Sequence, residues 1–371
     1  MKPVLNQHFK SIEFCTYCPK MCRFACPVAE VTGHEADTPW GRQTLMHLVR
    51  EGHMDFDADV AAAIYRCATC SLCTEYCDHN NKPYEVMLDM RAEAVKEGIE
   101  PSEVEEFRQF YSQHNNSYGD NLQARIKTLL PEIYFAKSSQ VIFVPSGSHI
   151  VHNPSVIQDT FKIFEAMEID HVSCHVGEVM DTGAHLRELG LMEQYHANAK
   201  KLSEALAGYK TIVSGSPTVV YELKVMYPKF GYELTPKIYH VSEFLWPFVR
   251  QGRLKVRRRL TQKAIYHDSC RLGRDLGVYD PPRDILREVL AEPPAEFARN
   301  REKSECCGGQ GAFPWIDQDA SIQIAQRRLG EVYESEKRLL VTACPMCERQ
   351  FRLADEKLDV VDLVSVVARV V

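Results

Sequence analysis

Leu339-Leu340-Val341-Thr342-Ala343-Cys344-Pro345-Met346-Cys347 is the stretch from which the architecture of this chain can be read. Leu339 to Thr342 is an apolar, β-branched run of buried-strand character, and it stops in a cysteine pair that brackets a proline. Thr211-Ile212-Val213 matches Leu339-Leu340-Val341 at an offset of 128 residues, and the same offset places Pro217 on Pro345. Each copy closes a similar series. The first runs through a strand at Val141 to Val144, a helix from Pro154 to Met167, a strand near His171 to Cys174 and a long helix ending near Gly208. The second runs through a strand at Ala264 to His267, a helix from Pro282 to Leu290, a cysteine pair and a helix from Asp317 to Arg338. Alternating strands and helices predict parallel α/β layers, and the recurrence predicts a duplicated unit over 139–252 and 260–371.

Upstream the pattern changes. Thr38 suits an N-cap and Pro39 the first turn of a helix through Leu45, Leu48 and Val49 that stops near Gly52. Val86, Met87, Met90 and Ala94 carry a second helical stripe, ended by Gly98 and Pro101, and Ser102 with Glu105 forms a capping-box pattern ahead of a helix through Tyr111. Residues 1–112 therefore read as an all-α domain, and the polar, turn-rich residues 113–138 as a linker. The fold class is α+β multidomain: a helical domain followed by two duplicated α/β domains. Their join carries Arg253, Lys255, Arg257, Arg258 and Arg259, a solvated linker or a docking patch for an acidic partner.

At 371 residues the chain is long enough for two or three domains, and 45% apolar with 26% charged residues is globular composition. A net charge of −7 leaves no basic footprint for nucleic acid. Met1 to Phe14 has no apolar signal core, and Leu358 to Val371, broken by Asp359, Asp362 and Arg369, is too short to span a bilayer. The expected location is cytoplasmic, at the inner face of a membrane only through a partner.

Fourteen cysteines in such a chain point to metal or redox chemistry before disulfides. Eight form two quartets: Cys15, Cys18, Cys22 and Cys26, then Cys67, Cys70, Cys73 and Cys77. Three closely spaced thiolates can wrap one corner of an iron–sulfur cube, while the fourth, on the following helix, reaches the other cube. On that logic Cys15, Cys18 and Cys22 join Cys77 on one [4Fe–4S] cluster, and Cys67, Cys70 and Cys73 join Cys26 on a second. Thiolate zinc is the competing reading. The helix-rich spacer between the quartets resembles the helical two-cluster ferredoxin modules of succinate dehydrogenase iron–sulfur proteins and heterodisulfide reductases. The first quartet departs from that pattern in the three residues between Cys18 and Cys22, and the second in ending Cys77-Asp78-His79, where the pattern has Cys-Pro.

Five more cysteines close the chain: Cys270, then Cys306-Cys307-Gly308-Gly309, then Cys344-Pro345-Met346-Cys347. Cys270 and Cys344 each lie just past a predicted strand, where parallel sheets form their crevices, and the glycines let backbone approach a bulky group. With Tyr266-His267-Asp268-Ser269-Cys270-Arg271-Leu272-Gly273-Arg274, this set resembles the CCG (cysteine-rich) domain of the heterodisulfide reductase family, its D-type and fused C–B-type members included. The resemblance implies a further iron–sulfur cluster, of the non-cubane [4Fe–4S] kind, on Cys270, Cys306, Cys307, Cys344 and Cys347, the candidates for a redox-active catalytic centre. Zinc or a metal-free redox dithiol at Cys344 and Cys347 are the competing readings.

In the first unit Ser216-Pro217-Thr218-Val219 stands where the second has Cys344 to Cys347, Ser146-Gly147-Ser148 takes the place of the Cys270 region, and Cys174-His175-Val176-Gly177 is set against Cys306 to Gly309. Cys174 and His175 are then either a packed vestige or a Cys–His site. His34, His47, His53 and His240 read as surface or core residues, and no nucleotide-binding motif is present, so flavin chemistry belongs to another subunit. The expected function is an iron–sulfur oxidoreductase subunit that relays electrons through two [4Fe–4S] clusters to or from the CCG-domain cluster. Expected partners are a flavoprotein dehydrogenase, an electron-transfer flavoprotein or a quinone-reactive membrane subunit. The alternative is a disulfide reductase acting at the CCG cluster.

Overall fold

A computed structural model describes residues 2–135, 139–336 and 339–371. Before Val141 the described residues contain helices and no strand. Thr38 caps helix Pro39–Glu51, its Oγ1 accepting from the Gly41 N–H at 2.9 Å, and Gly52 ends it at φ 76°, a conformation that costs glycine little. Helix Pro83–Glu97 stops in the same way at Gly98. The capping box at Ser102 is not formed: the helix spans Ser102–His114 behind Pro101, so Ser102 sits inside the first turn, and its hydroxyl donates to Glu103 at 3.3 Å.

The residues beyond form two four-stranded sheets, every strand parallel to its neighbours. β1 (Val141–Phe143), β2 (Val172–Cys174), β3 (Thr211–Ser214) and β4 (Lys237–His240) lie in the order β2-β1-β3-β4. β5 (Ala264–His267), β6 (Ala295–Glu296), β7 (Leu339–Thr342) and β8 (Asp359–Asp362) lie in the order β6-β5-β7-β8. Ile142 pairs with Ile212 in one sheet and Tyr266 with Val341 in the other. In both sheets the order reverses between the first and third strands, so the crevice at their carboxyl ends is where a ligand site is expected.

The linker expectation for 113–138 needs correction. Helix Leu122–Leu129 lies within it, and Leu122, Ile126 and Leu130, four residues apart, bury one apolar stripe against the first sheet's core beside Phe143 and Ile150. Residues 136–138 lie outside the described residues. The helix predicted from Asp317 to Arg338 spans Gln318–Glu334, capped by Asp317, and its expected end at Arg338 also lies outside them. The basic join is docked: Arg253 donates to the Met167 and Glu168 carbonyls, and the Arg257 N–H to the Val370 carbonyl at 2.9 Å.

The helical region shares apolar cores with the first sheet and with helices of the second α/β region. Val28 and Ala68 pack against Phe313, Ala320 and Ile324 of the second α/β region. Buried Arg91 donates to the Ile64, Tyr65 and Cys67 carbonyls on its own side and to the Glu188 carbonyl, at 2.8 Å, on the other. Among the described residues no helix is long and apolar enough to cross a membrane.

Candidate metal centres

The two quartets exchange their fourth members. Cys15, Cys18, Cys22 and Cys77 line one cavity of about 420 Å³, and Cys67, Cys70, Cys73 and Cys26 line another of about 440 Å³. Local backbone explains the exchange. Cys26 is extended (φ −83°, ψ 109°) as the residue before Pro27, which carries it out of its own loop at the start of helix Pro27–Thr32. The loops are tightly wound: Lys20, Thr69 and Ser71 all have positive φ without being glycine. Such residues each store about 1–3 kcal/mol of strain and collect at functional sites.

Thiols crowded in this way resist ionisation. Cys15 is pushed up to about 12, first by burial and then by Cys22, and Cys22 to about 11, by burial and then Cys77. Bound cations remove that penalty, because thiolate is the ligand form, so both donor sets fit metal clusters. The second cavity is already cationic. Arg42, buried and held by the Asp37 carbonyl, reaches within 3.9 Å of the Cys26 sulfur. The first cavity offers Cys15 a neutral donor, the Asn81 amide at 3.0 Å.

The five C-terminal cysteines are buried at the second sheet's crevice. Cys270 follows β5 and Cys344 follows β7, so adjacent parallel strands deliver them side by side. The loop carrying Cys306 and Cys307 closes over them, with the Cys307 and Cys347 sulfurs 3.2 Å apart. Gly308 has φ 82°, and a Cβ there would lie 2.2 Å from the Ser321 carbonyl oxygen, so only glycine fits this approach. The Gly308 N–H points at the Cys306 sulfur at 3.3 Å, and the Gly309 N–H at the Cys307 sulfur at 3.4 Å. Backbone amides aimed at sulfur stabilise thiolate, which suits a third metal centre.

Two features were beyond sequence reasoning. His267, at the end of β5, brings a ring nitrogen within 4.8 Å of the Cys307 and Cys347 sulfurs and has no well-formed hydrogen bond. Its place three residues before Cys270 was the available signal. The Cys306 thiol also lies close enough to Cys70 of the second quartet for the two to perturb each other, which lowers Cys70 to about 6 against burial, helped by Arg274. Arg274 donates to the Cys70 carbonyl at 2.8 Å and the Ser304 carbonyl at 2.6 Å, tying the two sites together.

The first sheet's crevice holds hydroxyls. Ser146 follows β1, capping the next turn through the His149 N–H at 3.1 Å, and Ser216 follows β3. Setting Cys174 against Cys306 needs correction. Cys174 is the last residue of β2, opposite Phe143, whereas the corresponding strand β6 ends at Glu296, well before the Cys306 loop. Cys174 is a strand residue whose thiol burial pushes up, and His175 Nε2 bonds the Val179 carbonyl at 2.8 Å. Among the described residues neither belongs to a cluster of three or more metal-ligating side chains.

The 4Fe-4S dicluster domain model matches residues 11–81, and the cysteine-rich (CCG) domain model matches residues 264–352. The D-type component of the dihydromethanophenazine:CoB–CoM heterodisulfide reductase of Methanosarcina acetivorans is 24% identical over 320 residues, 82% of this chain and 77% of that component. The chain thus carries an iron–sulfur dicluster domain and a CCG domain, and is similar to the D-type component of heterodisulfide reductase. This iron–sulfur protein is also similar to the B-type component of the fumarate reductase (CoM/CoB) of Methanothermobacter marburgensis, 25% identical over 96% of this chain and 71% of the relative. An EtfAB:quinone oxidoreductase of Syntrophomonas wolfei is 32% identical over 44% of this chain and 24% of its own length.

Proposed function

We propose that this heterodisulfide reductase-like protein is an oxidoreductase subunit that relays single electrons between a protein partner and the CCG-domain centre. Cys15, Cys18, Cys22 and Cys77 would hold one [4Fe–4S] cluster, Cys67, Cys70, Cys73 and Cys26 a second, and the five C-terminal cysteines a third, non-cubane cluster. Such groups, when bound, accept and release one electron at a time. The observation that carries the relay is the nearness of Cys70, of the second set, to Cys306, of the third, close enough for the two thiols to perturb each other's ionisation. Arg274 holds that junction from the Cys70 and Ser304 carbonyls and places a fixed positive charge beside both sets. The first set lies outermost, beside exposed Phe14 and Met21, where a partner can approach.

The partner is a flavoprotein dehydrogenase, an electron-transfer flavoprotein or a quinone-reactive membrane protein, the last two classes suggested by the name of the Syntrophomonas relative. Through it the protein works at the cytoplasmic face of a membrane. The two sheets, alike in strand order, would be copies of one unit of which only the second kept its cysteines.

Iron and acid-labile sulfide analysis of anaerobically purified protein tests the reading, and fewer than about eight iron atoms per chain, the sum for two cubes, overturns it. The name of the Methanosarcina relative favours a second reading, disulfide reduction at the third centre. Following reduced viologen oxidation with a panel of disulfides and quinones separates the two, since the relay consumes no disulfide.

A further inference from the structure

A third cavity, about 970 Å³ with the open solvent at its mouth included, opens against the helix Pro345–Ala354 that begins with the Cys-Pro-Met-Cys turn. Met346, Arg349, Gln350 and Leu353 face it at helical spacing, while Cys347 lies on the other side of the same turn against Cys307. Its polar groups lack partners. Ser117 Oγ, His185 Nδ1 and Gln350 Nε2 make no hydrogen bond, although the three residues are 5%, 7% and 2% exposed. Arg349 forms no ion pair or hydrogen bond among the described residues, and shares the cavity with Tyr118 and His152. No Asp or Glu lines the cavity among the described residues. His152, held down to about 4 by burial and then by Arg349, is neutral there. Trp315, Tyr118 and Leu353 supply an apolar wall.

Unpaired donors, one guanidinium, no carboxylate and an aromatic wall are complementary to an organic anion with an apolar body: a carboxylate or sulfonate takes Arg349 and Gln350 in fork geometry, and its body stacks on Trp315. We propose that this cavity binds such an anion and thereby seats a small-molecule reaction partner beside the five-cysteine centre. Its role as a reaction partner rests on the relay reading, whereas binding stands without it.

The test uses the full-length, anaerobically purified protein and follows tryptophan fluorescence during titration with phenylpropionate, phenylethanesulfonate, neutral phenylpropionamide and sulfate. Both organic anions should saturate the signal, which of them binds more tightly naming the head group, with phenylpropionamide and sulfate each weaker by about tenfold or more. Arg349→Met should weaken phenylpropionate binding by a similar factor at unchanged melting temperature. Trp315→Phe should remove the fluorescence response while calorimetry still detects heat of binding. Equal affinity for the acid and its amide, an Arg349→Met protein that binds normally, or no saturation at all overturns the proposal. Electron paramagnetic resonance on the same samples keeps the two readings apart. Missing cluster signals with anion binding intact defeat the relay and leave the site, whereas intact signals with no binding defeat the site alone. Phenylpropionate should also change the spectrum of the third centre, and not in Arg349→Met; an unchanged spectrum on saturation overturns the reaction-partner role.

Discussion

The two sheets share a strand order and differ in what they present at the same crevice. After the first and third strands, one places Ser146 and Ser216, the other Cys270 and Cys344. The loop that completes the second site comes from beyond the edge strand and brings Cys306 and Cys307 on paired glycines. In the first sheet that approach is made by Met180 to His185, and Asp181 and Thr182 line the same cavity as Ser146 and Ser216. A parallel sheet thus supplies a place for chemistry without specifying it, and the loop residues decide whether metal is bound.

The largest expected effect breaks that contrast at its centre. Cys307→Ala should remove the third centre's paramagnetic signal and about four iron atoms per chain, while the signals of the two N-terminal clusters remain. Ser216→Ala, at the matching crevice, should change neither. Loss of all three signals in Cys307→Ala would show that the centres assemble as one unit.

Next in size is a buried charge beside the second crevice. Arg283, 1% exposed, donates to both Asp268 oxygens at 2.7 Å and to both Glu296 oxygens at 2.7 Å. Arg283→Met strands the Asp268 carboxylate in the interior, which should cost about 3–5 kcal/mol. Anaerobic denaturation should show the loss. An unchanged midpoint would mean that Asp268 finds water or its Arg301 N–H contact sufficient.

The fourth strands give a pH test. β4 ends in His240 and β8 in Asp362, each capping the helix that follows. His240 is held down to about 4, chiefly by burial, with Asp362 and His149 as the charged or titratable groups facing it. A histidine with a lowered folded pKa binds its proton more readily when unfolded. Its contribution is therefore complete above about pH 6.5 and is lost as pH falls toward 4, at no more than about 1.4 kcal/mol per pH unit. Stability followed from pH 7 to 4.5 should fall less steeply in His240→Asn, and equal slopes would discount His240.

Legibility in the sequence followed the same divide. β1, β3, β5 and β7 announced themselves as apolar runs because central strands are buried on both faces. β4 and β8 open on exposed Lys237 and Asp359, and β6 has two residues, so pattern alone could not find them. The quartets were legible because spacing reflects how a loop wraps a cluster. The nearness of Cys70 to Cys306 was not, since it depends on how Ala68 and Val28 pack against Phe313 and Ile324. Cys174 was misplaced because a single cysteine was aligned without strand register, and only the pairing of Phe143 with Cys174 puts it inside β2.

The smallest effect sharpens the comparison by attempting to convert one crevice into the other. Ser146 Oγ caps helix Gly147–His152, whereas Cys270 makes no such bond to the turn after it. Ser146→Cys should therefore lose a cap worth about 1 kcal/mol, read as a small fall in the denaturation midpoint. Adding Ser216→Cys recreates the two strand-end thiols of the second crevice. It should still bring no iron, because the loop reaching the first crevice carries Asp181 and Thr182 and no glycine pair with amides aimed at sulfur. The iron content of the double variant decides the matter: unchanged iron places the specificity in the approaching loop, and a gain of iron would place it in the strand ends alone.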